Sequence, residues 1–390
     1  MEKESISVMI TGIKNAKVVT PQGIIWDGVI LIDGKRIINA GNAREIKIPD
    51  DAQIIDAEGA YVGPGFVDIH VHGGNGYMFD SDPVNAAKHF LSHGETTVLA
   101  TLYYNLSKPE FLKSIDGILS VMKNEEIGAV IGGFYMEGPY MNPKFGASPE
   151  LNKWKGEIKK EDFCQLCDRA GEAAKVWAIA PEREGIEPFM EYAKKVNPNV
   201  KFACGHSEAT PQQIRKVAKY GVDIMTHCMD ATGRTVEWDG TRGAGPDEYC
   251  LLNSDMYAEL ICDSMAIHVN RDLINLLIKV KGIDKIILIT DSFVSDEASP
   301  EGLKHVTDLT FDANEGLSGS KLTMDRVCKN FMQNSNCGIA QAFIAASTNP
   351  AKAIGMDDEI GTIETGKKAN LVFIDDMFNI KKVILEGKIQ

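Results

Sequence analysis

His70 and His72 stand in Pro64-Gly65-Phe66-Val67-Asp68-Ile69-His70-Val71-His72-Gly73-Gly74, an apolar run that stops in a glycine-rich turn. Alternate side chains of a strand share a face, so the two imidazoles and Asp68 lie together. Two neighbouring imidazoles at the end of a buried strand are half of a metal site. Other apolar runs end in the same style, at Glu137, His206, His227 and Asp291. Imidazole nitrogen and carboxylate oxygen suit Zn²⁺ and Fe²⁺. His70, His72, Glu137, His206, His227 and Asp291 are therefore the candidate ligands. A lone histidine at a strand end is more often a satisfied structural residue, but here half of the eight histidines end apolar runs. That shared placement favours the metal reading. Glu137 would be costly to bury without a partner, and one carboxylate can bridge two ions. Asp291 reads either as the cap of the next segment or as the proton shuttle of metal-assisted hydrolysis. His268 reads as a helix-start residue or, beside a metal, as a group that polarises a carbonyl.

The other candidates carry less. His89 and His93 are four apart on one expected helix, with no further ligand type converging there, and read as solvated; His305 sits in a polar stretch. Arg234 and Arg242 lie in the long polar segment 230–253, where an arginine near a metal mouth can clamp an anion. No GxGxxG or GxxxxGK[ST] occurs, which argues against nucleotide binding. Cys164 and Cys167 form a CxxC with no second pair, inside a helical pattern, and read as a chance spacing.

These residues need a scaffold that brings strand ends together. The middle of the chain supplies eight apolar runs: 66–72, 96–104, 130–137, 176–181, 200–206, 222–227, 256–263 and 285–291. Helical patterns over 85–93, 108–124, 160–174, 187–195, 211–220 and 271–281 separate most of them. Eight strand units with crossover helices are the signature of an α/β fold of the (β/α)8 TIM-barrel type, whose catalytic groups sit at the C-terminal strand ends. Both ends of the chain read differently. Short β-rich runs at 6–11, 17–20, 28–32, 36–40 and 53–56 are punctuated by turns such as Asp33-Gly34, and 368–375 and 380–385 have the same texture. The expected organisation is a small composite β-sandwich from residues 1–62 and 352–390, and a barrel from 63–351.

Bulk properties bound the rest. The 390 residues accommodate a barrel plus a smaller module, with 44% hydrophobic and 25% charged residues. A net charge of −14 argues against a nucleic-acid surface. The N-terminus has no signal-peptide pattern, and no apolar stretch is long enough to span a bilayer. Scattered cysteines suggest reduced thiols and a cytoplasmic setting.

The ordered motifs PGFVDIHVHGG, YMEGPYMNPKFGA, ACGHSEA, THCMDATG, AIHV, LITDS and LSGSKLTMDR, with the tail STNPAKAIG and GTIETGKKANLVFID, resemble the N-acetylglucosamine-6-phosphate deacetylases of the amidohydrolase superfamily. The resemblance covers almost the whole chain. It implies a small-molecule substrate, N-acetylglucosamine 6-phosphate, and a divalent metal, one or two ions, with Glu137, His206 and His227 as principal ligands and His70 and His72 supporting a second ion with Glu137. It implies Asp291 as acid/base, His268 on the carbonyl, Arg242 as a phosphate arginine reaching a neighbouring subunit's site, Leu317, Ser318 and Gly319 along the substrate, and a homodimer. Three departures fall in the substrate shell. Ser148 follows Gly146-Ala147 where the family has a histidine, in a loop one residue short. Asp230-Ala231 replaces Asn-Ala, and 263–268 is two residues longer. They motivate an alternative substrate, N-acetylgalactosamine 6-phosphate or an unphosphorylated amide. A non-catalytic scaffold is the remaining rival, but such proteins typically lose ligands, and here every ligand position is filled.

Overall fold

The computed structural model describes residues 9–124, 126–236 and 238–390. The start of the strand expected at 6–11 lies outside the described residues.

Eight strands form one parallel sheet, Phe66–Val71, Glu95–Tyr103, Ile131–Glu137, Ala174–Ile179, Lys201–Cys204, Val222–Met225, Tyr257–Ile261 and Ile286–Ile289, each paired to the next in chain order. Their interiors are almost wholly buried, because helices cover the outside and side chains fill the inside. The last strand returns to the first: the Asp291 amide donates to the His70 carbonyl at 3.0 Å, and the His72 and Gly73 amides both donate to the Ser292 carbonyl at 3.0 Å. Inside this closure, the Thr290 hydroxyl donates to Asp68 at 2.5 Å. Burial pushes the Asp68 carboxyl up to about 7, against the pull of that hydrogen bond. The sheet thus closes as a (β/α)8 barrel.

The crossover helices start and stop on local signals. Thr210 and Gln213 cap Pro211–Val217 reciprocally, and the Asn270 side chain caps Arg271–Lys281. Gly171 and Gly282 end their helices at φ +54° and +72°. Four α-helices among the described residues were not expected from the sequence: Pro246–Leu252, within the polar segment after His227, and Met324–Asn334, Ile339–Phe343 and Asn349–Ala353, after the eighth strand.

All the barrel strands except the third end earlier than their apolar runs. The ladders stop at Cys204, Met225 and Ile289, two residues before His206, His227 and Asp291. Those three residues have φ of +44°, +24° and +45°. For non-glycine residues this is strained backbone, of the kind that clusters at functional sites.

The chain ends build a second eight-stranded sheet. Thr11–Thr20, Gly23–Asp33 and Arg36–Asn42 form an antiparallel meander, with Gln53–Asp56 and Tyr61–Pro64 parallel on the other edge of Thr11–Thr20. Leu371–Ile374 pairs antiparallel with Tyr61–Pro64 and continues through Ile380–Leu385 and Lys388–Ile389. The boundary expected at 62 falls inside Tyr61–Pro64, which runs on into the first barrel strand. This sheet encloses its own core, including Ile13, Val18, Ile30, Val62, Leu371 and Phe373.

Candidate active site

Two overlapping groups of buried ligand-type side chains gather at the C-terminal mouth of the barrel: His70, His72, Glu137 and Asp291, and Glu137, His206 and His227. Glu137, the last residue of the third strand, divides its oxygens between them. Oε2 lies 2.9 Å from His72 Nε2 and 3.4 Å from His70 Nε2. Oε1 lies 2.8 Å from His206 Nε2 and 3.3 Å from His227 Nε2. Asp291 Oδ1 is 3.3 Å from His72 Nε2 and 3.6 Å from His70 Nε2. All four imidazoles therefore turn Nε2 inward.

The electrostatics demand positive charge. Burial resists ionisation of Glu137, yet the surrounding imidazoles hold its carboxyl well below the usual range; Asp291 is also held low. Burial likewise resists charge on the histidines, but the carboxylates win for His70 and His72, and lift His227 to about 9. Burial and the neighbouring His227 push His206 the other way. His206 Nε2 and His227 Nε2 stand 3.0 Å apart, a contact one proton can bridge and two protons would break. A divalent cation meets every one of these demands, so the donor set fits a metal of the kind imidazole and carboxylate bind.

His268 lies on the loop after the seventh strand. Asp263 organises that loop by accepting the amides of Met265, Ile267 and His268. Its Oδ2 also lies 3.3 Å from His268 Nδ1. Burial resists protonation of this ring, but Asp263, Asp230 and Asp291 raise its pKa. His268 Nε2 is buried with no hydrogen-bond partner.

A cavity of about 220 Å³ opens above the cluster, with Ala147, Asp230, Ala231, Leu317, Ser318 and Gly319 in its wall. The Leu317–Ser320 strand is held to the site by backbone bonds, from Ser320 N to Asp291 O and from Phe293 N to Ser320 O, both 2.9 Å. Gly319, at φ +75°, lies so close that a Cβ there would sit 2.4 Å from the Asp291 carbonyl oxygen. Neither Ser148 nor His268 is in the wall. Ser148 instead donates its amide to Asp312 at 2.9 Å. Arg242 is exposed and, with Arg234, faces Glu248 at 3.5 and 3.3 Å. Among the described residues, no lysine or arginine lines the cavity.

His89 and His93 are partly buried rather than solvated, and His93 Nδ1 lies 3.4 Å from Asp325. Three residues of the site escaped sequence reasoning. Tyr103 and Phe293 line the cavity, and Tyr103 donates its hydroxyl to the Ala147 carbonyl at 3.1 Å. Glu259, inside the seventh strand, faces His70. Its signal was available: a carboxylate in the middle of an otherwise apolar run.

The sequence pattern of the amidohydrolase family matches residues 61–390. An N-acetylgalactosamine-6-phosphate deacetylase of Escherichia coli O157:H7 is 28% identical over 357 residues, 87% of this chain and 90% of that relative. An N-acetylglucosamine-6-phosphate deacetylase of Haemophilus influenzae is 28% identical over 396 residues, 96% of this chain and 97% of the relative. The crystal structure of N-acetylglucosamine-6-phosphate deacetylase from Pasteurella multocida superposes with a TM-score of 0.84 at 25% identity, covering 98% of this chain and all (100%) of that one. Barrel, terminal sheet, ligand cluster and sequence pattern agree, and the chain belongs to the amidohydrolase family.

Proposed function

We propose that this chain is a metal-dependent deacetylase that hydrolyses the acetamide of an N-acetyl amino sugar 6-phosphate, with N-acetylglucosamine 6-phosphate as its first substrate. The observation that carries the reading is Glu137, whose two oxygens serve two histidine pairs, one of which also faces Asp291 Oδ1. The names of the relatives support the substrate.

Glu137, His206 and His227 would hold the principal ion, and His70 and His72, with Glu137 and Asp291, a second; zinc and iron fit the donors. Such an ion supplies Lewis acidity, making water nucleophilic near neutral pH and polarising the acetyl carbonyl. Asp291 takes the proton of the attacking water and delivers it to the departing nitrogen as the C–N bond breaks, leaving acetate and the free amine. His268, its Nδ1 proton engaged by Asp263, offers Nε2–H to the carbonyl oxygen as negative charge develops there. Ala147, Asp230, Ala231 and the 317–319 backbone shape the sugar site, and Ser148 stands behind it on Asp312.

A second substrate reading rests on Asp230. A carboxylate in a wall without lysine or arginine disfavours a phosphate unless another subunit supplies a cation. Arg242, exposed and outside its own cavity, is suited to that role in a homodimer. The eight cysteines are all unpaired thiols, which supports a reducing cytoplasmic setting.

The test is acetate release by metal-loaded protein from N-acetylglucosamine 6-phosphate, N-acetylgalactosamine 6-phosphate and unphosphorylated N-acetylglucosamine, with oligomeric state measured in parallel. Preference for the glucosamine phosphate is expected. Turnover of the unphosphorylated sugar alone would transfer the assignment to the second reading, and turnover of none would remove it.

A further inference from the structure

Glu259 has no place in the mechanism above, yet it occupies the centre of the barrel. It lies in the seventh strand, Tyr257–Ile261, and its side chain is 0% exposed. One oxygen, Oε2, collects three donors: His70 Nδ1 at 3.1 Å, the His227 backbone amide at 3.1 Å and the Tyr135 hydroxyl at 3.4 Å. Oε1 has no partner. Tyr135 stacks on the His70 ring, with centroids 4.3 Å apart, and its hydroxyl also contacts Thr226 Oγ1 at 2.9 Å, one residue before His227.

We propose that Glu259 is a positioning residue that makes the His70–His72 side competent to hold a second divalent ion and ties it to the His227 side. The inference rests on the reading that the cluster binds metal.

Three physical consequences follow from the contacts. Glu259 Oε2 already accepts the His227 amide, so His70 Nδ1 is the donor in its contact with that oxygen, and Nε2 is the ring nitrogen left to face an ion. That nitrogen lies 3.4 Å from Glu137 Oε2 and 3.6 Å from Asp291 Oδ1, with no hydrogen bond of its own. Such carboxylate–histidine pairs orient metal ligands and raise their basicity. The same oxygen anchors the backbone of His227, whose φ of +24° needs outside support. Finally, Glu259 is a third buried carboxylate beside Glu137 and Asp291. A buried carboxylate of this cost is otherwise hard to rationalise in a strand flanked by Ala258 and Leu260.

The test is a cobalt or zinc titration of metal-stripped full-length protein, reading stoichiometry and affinity for wild type, Glu259→Leu, Glu259→Gln and Leu288→Ala. Leu288 is buried on the other face of the sheet and serves as a control for general destabilisation. Wild type is expected to take two ions. Glu259→Leu should bind the second ion about 10- to 100-fold more weakly. Glu259→Gln keeps the volume and an acceptor but not the charge, and should fall between the two. Leu288→Ala should keep wild-type affinities. Wild-type affinity for both ions in Glu259→Leu overturns the proposal. If that variant does not fold, Glu259→Gln decides: weaker binding of the second ion supports the proposal and wild-type binding overturns it. Equal loss in Leu288→Ala also overturns it, because the effect would then be stability alone. A wild type that holds one ion overturns the two-ion assignment; one that holds none removes the metal reading beneath it.

Discussion

The barrel mouth and the terminal sheet are built under opposite rules. At the mouth, carboxylates and imidazoles are buried, and three of them sit on backbone of positive φ. His70 Nε2, His72 Nδ1, His206 Nδ1 and His268 Nε2 have no hydrogen-bond partner. In the terminal sheet the buried residues are apolar, and its charged pairs, such as Lys381–Asp375 at 3.1 Å, lie toward solvent. One region concentrates groups that are unfavourable until something binds them, and the other is already satisfied. Chemistry and stability should therefore be separable by mutation.

The largest separation is expected at Asp291. Asp291→Asn should lower kcat by about 10²–10⁴-fold while the protein keeps its fold, checked by steady-state acetate release and circular dichroism. Retained activity would remove Asp291 from the acid/base role. Its counterpart is Leu371→Ala, in the terminal core, which should cost about 2–5 kcal/mol in denaturant unfolding and leave kcat unchanged at 25 °C. A large kcat loss there would break the contrast.

Acid–base behaviour sharpens it further. Burial lifts the folded Asp68 carboxyl to about 7, above its unfolded value near 3.8. The folded state therefore holds the extra proton between those values, and this contribution to stability is lost as pH rises from about 4 through 7. Asp68→Asn should narrow the fall in unfolding free energy between pH 5 and pH 8 by at least about 1 kcal/mol. In the terminal sheet, Asp375 goes the other way: hydrogen bonds from Asn379 and its backbone amide hold its carboxyl low. Its contribution is present above the unfolded value and disappears only as pH falls below it, so Asp375→Asn should leave the pH 5 to 8 difference untouched. The smallest effect is expected from Lys381→Ala, under about 1 kcal/mol, since its partner is reached across solvent.

The parts legible in the sequence were those written in contiguous residues. Phe66–Val71 and its seven counterparts announced themselves as apolar runs, and helices such as 271–281 as periodic ones capped by Asn270 and Gly282. Glu137, His206, His227 and Asp291 were visible because each interrupts or ends such a run. What escaped depends on distant segments meeting. Glu259 is visible as a carboxylate inside an apolar run, but its partner, His70, is 189 residues away and could not be read from that run. The hairpin of Leu309–Phe311 with Leu317–Ser320 is too short to show a period. The positive φ at His206 and His227 is imposed by what surrounds them, since neither residue favours it. Arg242 stood out for its charge in a loop, and the fold directs it to Glu248 instead of the cavity of its own chain.

The bonds that close the barrel are also bonds of the site. His72 and Gly73 donate to Ser292, and Asp291 donates to His70, so the junction of first and last strands carries the histidine pair on one lip and Asp291, the proposed acid/base, on the other. A transient parting along this junction would disassemble the reacting groups while most of the core stayed packed. Local opening at this junction is expected to inactivate the site more often than global unfolding. Amide exchange at His72 and Asp291 is the clock that reads it, and a divalent ion bound between the two lips would act as a clasp that slows it.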